Sequence, residues 1–291
     1  MKLKNHLSWE ISSYRKSKKF RIEKVKMFFN EIFFSYYKII NHLMHNQTNK
    51  RLDFSNKIVL VTGGTGALGR AITRSFIECN AQVISSYITD SNIELSKRQT
   101  EPQLQLIKAD TSKEEQVEKL VSDILTKYGQ IHITVNVVGG YLGDKTVTEL
   151  EEQEWDKMMT INLKTAFLIS KHVIPHMISA KYGKMVHISS KTGLKSNGYD
   201  SAYAASKSGL IRLVESLSEE TKESNINVNC IMPSIINTEA NRKAVPTANF
   251  GKWAKPEDLA NIVLFLCSEE ANVITGAATD LWTDIIISFR Y

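Results

Sequence analysis

The stretch Lys57-Ile-Val-Leu-Val-Thr-Gly-Gly-Thr-Gly-Ala-Leu-Gly69 is an apolar run that enters a glycine-spaced turn. Ile58 to Val61 read as a strand buried on both faces. Gly63, Gly66 and Gly69 follow at intervals of three, and a helical period begins at Ala67. In such a turn the first glycine permits a tight reversal. The second lets the backbone approach a pyrophosphate, and the third lets the helix pack closely against the strand. The free N–H groups and dipole at the helix start attract phosphate. A strand before and a helix after distinguish this segment from a plain connector, so it predicts a dinucleotide-binding βαβ unit.

Downstream, short β-branched runs alternate with longer helical periods, the order of a parallel sheet covered on both sides. The predicted strands are 58–62, 82–86, 104–108, 131–137, 184–189, 226–231 and 277–282, with helices such as 67–79, 113–128, 155–180 and 202–224 between them. The expected fold is a doubly wound, parallel, seven-stranded α/β sheet, whose ligand crevice lies at the carboxyl ends of the strands.

Upstream, the polar stretch His45 to Arg51 has no apolar period and sets a domain boundary. Residues 1–50 are expected to form a basic amphipathic helical extension, and residues 51–291 the catalytic domain. In the extension Ile22, Val25, Phe29, Ile32, Tyr36, Ile39 and Leu43 recur at steps of three and four, the seam of a helix that needs a partner surface. That partner is its own domain, another subunit or, given the lysines beside Phe28, Phe33 and Phe34, a membrane surface. A targeting segment, or a start at Met44, is the remaining alternative.

Charge is unevenly spread. Residues 1–51 hold 12 of the 37 Lys and Arg and three of the 31 Asp and Glu, which leaves 25 against 28 in residues 52–291. A slightly acidic main domain excludes nucleic acid as the partner of the whole protein. Cys79, Cys230 and Cys267 form neither a CxxC pair nor a disulfide spacing, which points to a reducing, cytoplasmic setting. No run of about 18 apolar residues is present, so no membrane span is expected.

Tyr203-Ala-Ala-Ser-Lys207 places a phenol and an ammonium four residues apart on one helical face. A free tyrosine titrates too high to move protons efficiently at neutral pH, and a nearby cation is expected to lower it. Ser190 follows an apolar strand and lies thirteen residues before Tyr203, so both are expected at that strand's carboxyl end. A YxxxK pair alone is common on solvated helices. Its occurrence with Ser190 and Asn162, downstream of the glycine turn, is not.

Thr62-Gly-Gly-Thr-Gly-Ala-Leu-Gly69 together with Asn162, Ser190, Tyr203 and Lys207 resembles the short-chain dehydrogenase/reductase family, in its compact single-domain branch. The resemblance covers residues 53–282. It implies an NAD(P)(H)-dependent oxidoreductase acting on a small-molecule carbonyl or alcohol, a 3-oxoacyl-thioester or general ketone reductase being the commonest activity, and a homo-oligomer. Ser190 would hold the carbonyl oxygen and Tyr203 would protonate it. Lys207 would support Tyr203 and bond the nicotinamide ribose, and Asn162 would anchor a water linking Lys207 to solvent.

The same resemblance implies cofactor contacts from Gly63, Thr65, Gly66, Leu68 and Gly69 in the turn, and from Tyr87, Asp110, Thr111 and Asn136 at strand ends. Tyr203, Lys207, Pro233, Ile235 and Thr238 would complete the set. Asp110 matches the family's adenine-contacting acid, and a helix N-cap ahead of Glu114 is its alternative role. The family's NNAG segment is Asn-Val-Val-Gly139 here, Ser234 replaces a usual glycine, and the Gly-Gly pair common near the C-terminus is missing after Ala277. Tyr87 stands where an acid would bond the ribose 2′-OH of NAD. Its presence, with Ser85 and Ser86 as donors to a 2′-phosphate, favours NADP, with NAD as the alternative.

Residues 240–253 are similar to the matching stretch of dihydropteridine reductases, which makes reduction of a pterin-like ring a second reading. A nucleotide-sensing scaffold without turnover is a third. His172 and His176, four apart on a helix, have no third ligand nearby in sequence, so no metal is expected. Ser190 lacks a GxSxG elbow, which removes a hydrolase reading.

Overall fold

The computed structural model describes residues 52–89 and 101–281. The predicted helical extension over residues 1–50, its boundary up to Arg51 and Trp282 lie outside the described residues.

Strands β1 (Ile58–Thr62), β2 (Gln82–Tyr87), β3 (Leu104–Lys108), β4 (Ile133–Asn136), β5 (Gly183–Ile188), β6 (Ile226–Met232) and β7 (Ala278–Asp280) form one sheet in the order β3-β2-β1-β4-β5-β6-β7. Every pairing is parallel. The chain moves outward from β1 to β3, then returns to β4 on the other side of β1. The connections above β1 and β4 therefore diverge and leave a crevice at the carboxyl ends of these strands.

Alternation along each strand divides the core in two. Val59, Val61, Val135 and Ile188 face helices α1 (Ala67–Glu78) and α8 (Pro256–Cys267), where Ile72, Phe76, Leu259 and Val263 meet them. Leu60, Ile84, Met185 and Val228 face the other layer, built from α2 (Glu114–Tyr128), α4 (Thr165–Ala180) and α6 (Ser201–Thr221). Short helices α5 (Lys191–Leu194) and α7 (Glu239–Ala244) follow β5 and β6. Pro256 opens α8 with Glu257 and Asp258 in its first turn, a start signal that favours the helix dipole.

Some elements differ from the sequence reading, β7 among them, which pairs only over Ala278–Asp280. The predicted helix 155–180 is α3 (Glu152–Met159), a π turn over Thr160–Lys164 and then α4. Side-chain periodicity does not register one extra residue per turn. β4 is shorter than predicted, because Ile131 and Val137 flank the paired residues Ile133 to Asn136.

Candidate active site

The glycine turn sits above β1. Gly63 takes a left-handed φ of 65°, and a Cβ built on Gly69 would overlap the Gly63 carbonyl oxygen, so the start of α1 presses directly on the turn. Gly66 is the N-cap of α1, with no side chain capping it. The leading N–H groups of α1 thus face the crevice, the arrangement that suits a phosphate. Thr65 is buried, and the Leu68 side chain points into the core, which leaves only its backbone to the site. Arg70, which sequence reasoning passed over, reaches back to donate to the Thr65 carbonyl and so brings a guanidinium onto the turn.

Ser85 and Ser86 are not available as donors to a 2′-phosphate. Both are 1% exposed, and Ser85 Oγ shares a 2.9 Å hydrogen bond with Thr73 Oγ1 beneath Gly64. Their side chains face the core layers because β2 is covered on both sides. Tyr87 closes β2 and is half-buried.

Beyond β3, Asp110 Oδ1 accepts from the Ser112 N–H at 2.9 Å and the Ser112 hydroxyl at 2.7 Å. The N-cap of α2 is Lys113, so the expected capping role of Asp110 is displaced into a turn just ahead of the helix. Thr111 Oγ1 is buried without a hydrogen-bond partner among the described residues. An orphaned hydroxyl and the uncapped leading N–H groups of α1 both fit a dinucleotide lying across the turn. Asn136, at the end of β4, accepts a short hydrogen bond from the Thr62 hydroxyl and is fully enclosed.

At the carboxyl end of β5, the chain brings Ser190, Tyr203, Lys207 and Asn162 together. Ser190 caps α5, its Oγ accepting from the Thr192 N–H at 3.2 Å, and its side chain acts to lower the pKa of the Tyr203 phenol. Gly193 lies so close to the Lys207 backbone that α5 packs flush on α6. Lys207 is enclosed, donates from Nζ to the Ile188 carbonyl at 2.8 Å and stands 5.9 Å from the centre of the Tyr203 ring.

The expectation that Lys207 lowers the Tyr203 pKa is not met. Burial raises the phenol, a hydrogen bond from Ser190 lowers it, and the Asp200 carboxylate raises it again. Burial in turn depresses the Lys207 ammonium to about 8. Burial disfavours the charged form of each group, and it is the largest influence on both.

Asn162 sits in the π turn and is fully buried. Its Oδ1 accepts from the Gly140 N–H at 3.0 Å, and its Nδ2 donates to the Gly140 carbonyl and to Ser206 Oγ, each at 3.1 Å. Ser206 Oγ donates onward to the Tyr203 carbonyl at 2.8 Å. One amide therefore ties the loop after β4 to the helix that carries Tyr203. Gly139 fits between Asn162 and Lys207, since a Cβ there would stand 2.8 Å from Asn162 Oδ1 and 3.2 Å from Lys207 Nζ.

Sequence reasoning missed Ser206, Tyr141 and Asp200. The Tyr141 ring meets the Tyr203 ring edge-on, with centroids 5.0 Å apart, and its hydroxyl donates to Asp200 Oδ1 at 2.8 Å. Only the position of Asp200, three residues before Tyr203, carried a signal. Pro233, Ile235 and Thr238 follow β6. Pro233 is buried and its carbonyl accepts from the Lys191 N–H, Ile235 is half exposed, and Thr238 Oγ1 accepts from the Asn241 N–H as the N-cap of α7. Residues 240–253 run from α7 to a short 3-10 turn at Phe250–Lys252, which Asn237 Nδ2 holds through the Phe250 carbonyl. His172 faces Glu114 at 3.2 Å, and among the described residues no three His, Cys, Asp or Glu gather as metal ligands.

A doubly wound sheet with a phosphate-suited turn and a clustered Ser-Tyr-Lys-Asn group defines the class of nucleotide-dependent carbonyl/alcohol oxidoreductases. The family model described as short chain dehydrogenase matches residues 57–249, and the chain belongs to this family. It is similar to 3-oxoacyl-(acyl-carrier-protein) reductase FabG of Thermotoga maritima, 29% identical over 242 residues that span 79% of this chain and 98% of that protein. It also resembles the NAD-dependent glycerol dehydrogenase of Listeria innocua, 32% identical over 240 residues, 78% of this chain and 93% of the relative. Among solved structures, ElxO with NADP bound superposes with a TM-score of 0.74 at 26% identity, covering 79% of this chain and 99% of the other. The protein is thus an NAD(P)-dependent oxidoreductase acting on carbonyl or alcohol groups. Among the described residues no helix is long and apolar enough to cross a membrane.

Proposed function

We propose that the protein is a reductase of ketones of the 3-oxoacyl-thioester type, with Tyr203 as proton donor. The observation that carries this reading is the half-buried Tyr203, whose phenol Ser190 acts on, on a helix whose Lys207 lies against the end of β5. A bound nicotinamide supplies hydride to the carbonyl carbon. Ser190 and Tyr203 hold the oxygen as negative charge develops, and Tyr203 gives it a proton. Burial keeps the phenol protonated at neutral pH, the state that a reduction requires. Lys207 remains mostly cationic at pH 7 with a pKa of about 8, and so restores charge balance beside the phenolate that forms.

Asn162 acts chiefly by fixing the loop at Gly140 and the backbone of α6 through Ser206. The Gly63–Gly69 turn, Asp110, Thr111, Asn136, Pro233, Ile235 and Thr238 would hold the dinucleotide. NADP is the favoured cofactor. Its support is Arg70 on the turn, together with the absence of an acid at Tyr87. NADP bound to the similar ElxO and the 3-oxoacyl reductase relatives agree with this choice. Trp155 and Phe167, exposed on α3 and α4, support self-association into a homo-oligomer.

The test is reduction of a 3-oxoacyl thioester followed by nicotinamide absorbance, with NADPH and NADH, in wild type and Tyr203→Phe. The variant is expected to bind cofactor and to lose at least about 100-fold in kcat, the range of positioned acid catalysis. Retention of more than a tenth of the rate, with chemistry limiting, removes Tyr203 from the role.

A further inference from the structure

The loop after β4 and the turn before α6 are fastened together at the rim of the site. Tyr141 donates to Asp200, and Gly143 covers that bond so closely that a Cβ there would overlap both Tyr141 Oη and Asp200 Oδ1. The Lys145 N–H reaches the Tyr199 carbonyl at 3.4 Å, and Asn162 grips Gly140 at the base of the loop. Asp144 and Tyr199, one on each side, hold left-handed φ values of 65° and 70°. Such values are unfavourable for non-glycine residues and persist where the surroundings enforce them.

Held this firmly, the Tyr141 side chain is nevertheless 60% exposed. Its ring stands edge-on to Tyr203 at 5.0 Å and 80°. It is therefore a fixed surface whose contact area is not used by the fold, and fixing a surface in advance lowers the cost of binding to it.

We propose that Tyr141 is a specificity-determining residue: its anchored ring forms the wall along which the carbon skeleton beside the reacting carbonyl lies, selecting carbonyls on an apolar acyl or aryl body over small polyhydroxylated ketones. The inference rests on Tyr203 as the proton donor. A carbonyl oxygen about 2.8 Å from the Tyr203 hydroxyl carries its carbon substituents into the space that the neighbouring ring borders. The Tyr141 hydroxyl gives its proton to Asp200, so what Tyr141 offers a substrate is chiefly its apolar ring. Leu194, Tyr199, Ile235 and Val245, from segments that follow β5 and β6, are also large apolar side chains left exposed. Asp200 and Asp144 both act electrostatically on Tyr141, so a free carboxylate next to the carbonyl meets two like charges there.

The experiment compares kcat/KM for ethyl 3-oxohexanoate and dihydroxyacetone, with NADPH and NADH, in wild type, Tyr141→Phe, Tyr141→Ala and Tyr203→Phe. Wild type is expected to prefer the oxo ester. Tyr141→Ala should lower the ester-to-dihydroxyacetone ratio by about 10-fold, carried by the ester's KM, in line with loss of a few apolar contacts. Tyr141→Phe keeps the ring, frees it from Asp200 and should lower the ratio by about 3-fold. A ratio unchanged in Tyr141→Ala, or a wild type that prefers dihydroxyacetone, overturns the inference. Equal turnover by Tyr203→Phe and wild type, or no turnover of either ketone by wild type, overturns instead the reductase reading beneath it.

Discussion

The ammonium of Lys207 is buried beside Tyr203, 5.9 Å from its ring centre, and its one acceptor among the described residues is the Ile188 carbonyl. With no carboxylate against it, the charge is retained at the expense of stability, and function gives the reason for its presence.

Stability should therefore depend on pH through Lys207. Its pKa falls from 10.5 to about 8 on folding, so the unfolded chain binds more protons between these values and stability gains as pH rises across that window. The full cost is present below pH 8. Lys207→Met removes the term, so the stability of the variant relative to wild type should shrink by about 3 kcal/mol from pH 7 to pH 10. Chemical denaturation at several pH values measures this difference, and parallel curves for the two proteins would show that the ammonium is not buried in charged form.

Asn162→Ala should damage the fold as well as the chemistry. It strips partners from both polar groups of Gly140 and from Ser206, and unpaired buried groups cost roughly 1–3 kcal/mol each. The expected loss is roughly 2–4 kcal/mol in denaturant titrations, with a fall of at least about 10-fold in kcat. Wild-type stability with lost activity would favour a side chain that serves only to hold a water.

Gly69→Ala tests the turn. The added methyl collides with the Gly63 carbonyl oxygen, a backbone atom that moves only with the turn itself. Overpacking of this kind costs roughly 1–3 kcal/mol. Fluorescence titration should show dinucleotide affinity reduced by at least about 10-fold, because the N–H groups that meet phosphate are displaced. A folded variant with unaltered affinity would place the dinucleotide elsewhere.

Arg70→Ala should change cofactor preference. If its guanidinium meets the 2′-phosphate, the ratio of NADPH to NADH affinity should fall by about 10-fold, the worth of a charge-assisted pair. Calorimetry with both nucleotides gives the ratio directly, and an unchanged value would assign discrimination to residues other than Arg70.

The strand positions, a parallel sheet covered on both faces, the glycine turn and the Tyr203–Lys207 pair were legible because each rests on local spacing: apolar runs such as Ile58–Val61, glycines at 63, 66 and 69, and a phenol and ammonium four apart. What escaped depends on tertiary enclosure. Tyr203 and Lys207 have the expected positions, but burial, invisible in a linear spacing, reverses the expected shift of the phenol. Ser85 and Ser86 look like accessible donors until β2 is seen covered on both sides. Tyr141 meets Tyr203 across 62 residues of chain, through a loop that has no periodicity to read.

The π turn at Thr160–Lys164 makes the length of that segment as consequential as its composition. It holds one residue more than an α-helix spanning the same distance would need. Loss of a single codon there would let α3 run straight into α4 as one regular helix, with the flanking faces of both kept in register. The core faces could stay packed and every remaining side chain could keep its identity, yet Asn162, whose place is set by the wider turn, would be drawn off Gly140. A comparison of sequences that scores substitutions and forgives single gaps would count such a protein as intact.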